Sequence, residues 1–144
     1  MIAMTLLPRQ WAHFSGTVTF FCGVASPDEV AAFRPAIASA VTRFSRESRP
    51  LVERDTYGKA FLQVMNLWSE DSDVRRFVLA ARFAGVAANL LGAQGVRMYH
   101  DQALVKEPGG GHTPWHQNAI YWPIDGTRCS RCGCRSSTTR RRWA

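Results

Sequence analysis

YHDQALVKEPGGGHTPWHQNAIYWPID, residues 99–125, is the stretch on which the fold turns. Its first part reads as a strand: from Val96 to Val105 the pattern is extended, and residues two apart on a strand share a face. His100, Gln102, Leu104 and Lys106 therefore fall on one side. Pro108 and the glycines 109–111 then demand a turn. Beyond the turn, His116 and Asn118 are again two apart, so an extended segment presents both to one side while Gln117 points away.

Upstream the signals are helical. TVTFF (17–21) is a short strand-like run, and Ser26 then begins a helix, with Pro27 at its first position and Glu29 completing a capping box. Val30, Phe33, Ile37, Val41 and Phe44 make one apolar stripe, in which Pro35 is expected to introduce a kink. KAFLQVMNLW (59–68) reads as a partly buried extended or irregular run. Ser72 is expected to cap a further helix with Val74, Phe77, Val78, Ala81, Ala84, Ala88 and Leu91 on one face and Gly92 at its end. With helices first and strands later, the expected class is α+β.

Composition narrows the function. The 144 residues, 46% hydrophobic and 11% aromatic, can build a core, and no apolar run approaches the ~20 residues a membrane-spanning helix needs. Without a signal-peptide pattern at the amino terminus, a cytoplasmic location is expected. The net charge of +7 is local: six of the 18 Lys and Arg residues lie in 128–144 with none of the 11 acids, so residues 1–127 hold 12 basic against 11 acidic. The near-neutral body argues against nucleic acid as its partner and leaves a small-molecule substrate as the expectation; oligomeric state is not readable.

A histidine and a carboxylate at the 116/118 spacing, joined by a second histidine from a distant strand, make the facial triad of non-haem Fe(II) oxygenases, which leaves positions open for cosubstrate and oxygen. Here position 118 is asparagine, whose amide oxygen can coordinate but brings no negative charge. The spacing alone also suits a turn or surface histidine.

The whole 99–125 stretch resembles the phytanoyl-CoA dioxygenase family, whose members carry a strand with Asp-Gln and Lys, a glycine turn, Thr-Pro-Trp, His-Gln-Asp and Tyr-Trp-Pro. GVASPDEVAAFRPAI (23–37) and NLWSEDSDVRRFV (66–78) extend the likeness over most of residues 8–125. The resemblance implies the amino-terminal helices and first strands of an incomplete double-stranded β-helix, or jelly roll, over residues 1–127. It implies Fe(II) as cofactor and 2-oxoglutarate as cosubstrate. By position, His116 resembles the first iron ligand, Asn118 stands where the iron-binding aspartate belongs, and Gln102 and Lys59 match residues lining the cosubstrate pocket. An ordinary strand glutamine and a surface lysine are the alternative readings of the last two. Trp115, Tyr121 and Trp122 read as core aromatics, His112 as a turn residue and His13 as an exposed helix residue. A halide site in place of the carboxylate would need a smaller residue than asparagine.

The family's distal histidine and its 2-oxoglutarate-binding arginine come from later strands, and no histidine follows His116. The expectation is a truncated dioxygenase, inactive as this chain. The Arg/Cys-rich residues 128–144 read as a non-native, disordered tail: shifted by two bases, their codons permit a strand and an acidic loop, as out-of-frame translation would produce. The competing reading is a small zinc- and nucleic-acid-binding module, with Cys129, Cys132 and Cys134 joined by His112 or His116 as ligands and the tail arginines on phosphates. An open half-barrel is also expected to expose strand edges and to be hard to keep in solution.

Overall fold

The computed structural model describes residues 23–114 and 133–134. Helix α1 (Pro27–Phe44) starts as its sequence dictates: Ser26 is extended, and its Oγ accepts the amide of Glu29 at 3.1 Å. Val30, Ala40 and Val41 are buried on one stripe, with Phe33, Ile37 and Phe44 packed beside them. The helix continues through Pro35. Proline there withholds one backbone donor, the one that would reach Ala31, and both residues are exposed, so water can satisfy the freed carbonyl.

A 3-10 turn (Leu51–Glu53) leads to α2 (Thr56–Ala60), whose cap is Asp55, accepting the Gly58 amide at 2.7 Å. Then come β1 (Leu62–Met65), α3 (Leu67–Glu70), α4 (Ser72–Val78), α5 (Ala81–Leu90) and β2 (Gln102–Val105). The two strands pair antiparallel, Leu62 with Val105, Gln63 with Leu104, Val64 with Ala103 and Met65 with Gln102. Helices and a small antiparallel sheet are thus mixed, as an α+β chain requires.

One face of the sheet lies on the helices. Val64 is buried with Ala40, Val41, Leu67 and Val74, and Leu62 and Ala103 pack against the same cluster. Because facing residues of antiparallel strands share a side, Gln63, Met65, Gln102 and Leu104 lie on the opposite face. That face is open among the described residues: Met65 is 42% and Leu104 43% exposed.

Several expectations need correction. Asp71, not Ser72, caps α4: its Oδ1 accepts the amides of Asp73 at 2.9 Å and Val74 at 3.0 Å. The single helix expected from Ser72 to Leu91 is two helices, broken at Leu79 and Ala80, the latter extended. Tertiary contacts meet the chain just past the break. Arg82 donates to the Val24 carbonyl at 2.6 Å and pairs with Glu29, drawing the start of α5 toward the start of α1. Gly92 does end α5, in the left-handed region (φ 59°), with its amide on Asn89 and that of Ala93 on Ala88.

Of the strand expected over 96–105, only Gln102–Val105 is strand. Just before it, Asp101 is tied to the start of α3, its carbonyl taking the Asn66 amide at 3.0 Å and its carboxylate the Trp68 amide at 3.2 Å. The run 59–68 is the end of α2, all of β1 and the start of α3. A strand therefore falls between helices, and the order of helices first, strands later does not hold. TVTFF (17–21) and His13 lie outside the described residues. Among the described residues no helix is long and apolar enough to cross a membrane.

Candidate functional site

The described part of the site is the end of β2 and the turn that follows it. A run of three glycines has no intrinsic shape. Here it acquires one from contacts with α2. The Gly110 amide closes the turn on the Glu107 carbonyl at 3.0 Å, and the Gly111 amide reaches the Lys59 carbonyl at 2.8 Å. Gly109 is left-handed at φ 75°. Gly110 sits so close that a Cβ there would stand 2.9 Å from the Lys59 carbonyl oxygen and 3.0 Å from that of Glu107.

Two charged side chains complete the seam. Lys106 Nζ donates to the Ala60 carbonyl at 2.9 Å and to the Gly111 carbonyl, and lies 4.9 Å from the centre of the Phe61 ring. Arg54, 8% exposed, is the buried charged residue among those described. Its guanidinium forks onto the Glu107 carboxylate, with Nη2 3.3 Å from Oε1 and Nη1 on Oε2, while its Nε donates to the Arg49 carbonyl at 2.9 Å. The turn is thereby fixed to the segment 54–60 at both of its ends.

Of the residues singled out in the sequence, Lys59 is half-buried in α2 and lies directly against the turn, its Cβ 3.6 Å from where a Cβ on Gly111 would be. Gln102, half-buried, is on the open face of the sheet opposite Met65, at the other end of the ladder. Three residues of strand, about 10 Å, separate it from Val105 and the turn beyond. Leu104 shares its face, whereas Lys106 lies past the end of the strand and is committed to carbonyl groups. His100 also precedes the strand, its ring edge-on to Tyr99 at 5.1 Å. His112 is exposed and lies past the turn at 108–109 rather than in it.

His116, Asn118, Trp115, Tyr121 and Trp122 lie outside the described residues, as do Cys129 and Cys132. Cys134 is exposed; desolvation raises its thiol above the ordinary value of 9.0, with Glu29 adding to the effect and Arg82 opposing it. Among the described residues no group of three His, Cys, Asp or Glu side chains could hold a metal ion. The sequence reading missed Arg54 and Glu107 altogether, since nothing in two charges so far apart along the chain announces a pair.

Residues 15–138 match the phytanoyl-CoA dioxygenase (PhyH) family, and the chain belongs to it. The match continues past Thr127 into the Arg/Cys-rich tail. No curated protein and no solved structure matches the chain.

A facial triad needs two imidazoles and a carboxylate, the anion balancing part of the metal's charge. At the expected positions 116 and 118 the sequence offers one imidazole, His116, and the neutral amide of Asn118. That pair by itself lacks the anion of the triad.

Proposed function

We propose that the chain is the amino-terminal part of an Fe(II)- and 2-oxoglutarate-dependent dioxygenase, the helices and first strands of an incomplete jelly roll, and that these 144 residues alone do not turn over. The family match over residues 15–138 carries this reading, because members of the family depend on Fe(II) and 2-oxoglutarate. The geometry supports it in one respect: the glycine turn ahead of His116 is shaped by specific contacts with Lys59, Arg54 and Lys106, as a segment that must deliver side chains to a fixed place requires.

In this reading Gln102 and Lys59 line the cosubstrate pocket, His116 and Asn118 stand at the metal position, and a small organic or acyl substrate is the partner, with neither nucleic acid nor a membrane surface involved. The absence of turnover follows from Asn118, which brings no negative charge to the metal position. In this reading residues 128–144 are out-of-frame translation of a gene that once encoded the remaining strands, against which stands the family match running on to residue 138, and the location is cytoplasmic.

The test is an assay of the purified chain for Fe(II)-dependent conversion of 2-oxoglutarate to succinate with oxygen uptake. No conversion is expected; iron-dependent turnover overturns the claim of inactivity. Sequencing the gene past codon 127 tests the origin of the tail. A downstream stretch in the original frame without a histidine and an arginine at family spacing overturns that part.

A further inference from the structure

We infer that the Arg54–Glu107 ion pair is a positioning device, setting the direction in which the chain leaves β2 through the glycine turn toward His116. The functional meaning of that direction rests on the reading above, whereas the geometry stands without it.

The pair is only partly buried, Arg54 8% and Glu107 29% exposed, and such a pair is a poor source of stability. Desolvating the guanidinium and part of the carboxylate offsets much of their attraction, and apolar residues of similar volume commonly serve stability as well. What such a pair supplies is a direction. The planar guanidinium meets the carboxylate with two donors at once, so Glu107 is held in angle as well as distance. Arg54 is fixed in turn by the Arg49 carbonyl at 2.9 Å. Glu107 lies at the hinge between β2 and the glycines, and its own carbonyl closes the turn onto Gly110. Three successive glycines would otherwise leave by many routes, and the two side chains just ahead of them, Lys106 and Glu107, are spent on restricting them.

The test compares the full-length chain with Arg54→Met/Glu107→Leu, which fills the space without the fork. The expected result is a urea midpoint close to the parent's. The amides of Gly110 and Gly111 should exchange with deuterium faster by about tenfold or more, while those of Val74 and Phe77 in α4 stay unchanged. The imidazole resonances of His112 and His116 should move, a signature that a pair serving stability alone would leave in place. Arg54→Lys, which keeps the charge and loses the fork, is expected to give the same loss confined to the turn. Parental protection at both glycines with unmoved imidazole resonances overturns the inference. If the double variant does not fold, Glu107→Gln takes its place, and protection lost equally in the turn and α4 overturns it as well. These measurements involve neither iron nor 2-oxoglutarate, so a failure of the functional reading leaves them intact, and the converse holds.

Discussion

The amide of Gly111 donates to the carbonyl of Lys59 at 2.8 Å, so the glycine turn acts as the missing partner for the end of the short helix α2. Two elements too brief to persist alone are thereby made into one.

This seam makes adjacent glycines unequal. In Gly110→Ala the new methyl would press on two backbone carbonyls, at 2.9 and 3.0 Å, neither of which can rotate away. The expected cost is about 1–3 kcal/mol. In Gly111→Ala the nearest neighbour is the Lys59 side chain at 3.6 Å, an ordinary contact, and the change should stay within about 0.5 kcal/mol. Urea denaturation of the two variants measures the difference; equal midpoints would mean the turn is not held as described.

Pro35 sits exposed in the middle of α1. Pro35→Ala restores a donor to the Ala31 carbonyl and removes the ring's clash with the preceding turn, against a small gain in the freedom of the unfolded chain. Thermal unfolding should show a stabilisation of about 1–3 kcal/mol. A neutral or destabilised variant would show that the helix is fitted to the proline.

Asp71 joins two elements, capping α4 and pairing with Arg43 of α1. Its carboxyl is held below the ordinary value of 3.8, first by the Val74 amide, with further hydrogen bonds from the Arg43 side chain and the Asp73 amide. A lowered folded value means the stabilisation is complete above the unfolded pKa. It is lost as the pH falls from near 3.8 through the lower folded value. Asp71→Asn keeps an acceptor for the cap and loses the charge, whereas Asp71→Ala loses both. Unfolding midpoints at pH 7 should therefore rank parent, Asn, Ala, and the gap between parent and Asn should close in acid. A gap that does not narrow as the pH falls below 3.8 contradicts the assignment.

Asn118→Asp restores a negative oxygen donor beside His116. If residue 118 stands at the metal position, calorimetric titration with Mn(II) or Co(II) should show affinity raised by about tenfold or more, roughly 1.4 kcal/mol. Unchanged affinity would remove Asn118 from the metal position.

Much of the local chemistry was legible in the sequence. The Ser26 cap, the α1 stripe and the Gly92 stop depend on residues within a turn or two of one another, and each appears in the structure as its spacing dictates. The break at Leu79–Ala80 was not legible. The apolar period runs through it unbroken, and the contacts that accompany the turn, Arg82 to Val24 and Glu29, span more than fifty residues of sequence. The Asp71 cap was a near miss of one position, with two acceptable capping residues side by side. At the site, Lys59 and the turn come together, while the fork between Arg54 and Glu107 needed coordinates to be seen.

The open side of the sheet carries a chemical exposure of its own. An oxidant arriving there meets the thioether of Met65, 42% exposed, directly across the ladder from Gln102. Conversion to the sulfoxide would plant a polar, chiral group on that surface, and a reductase could undo it. Val64 faces the other way, so such damage would leave the helical side of the molecule untouched.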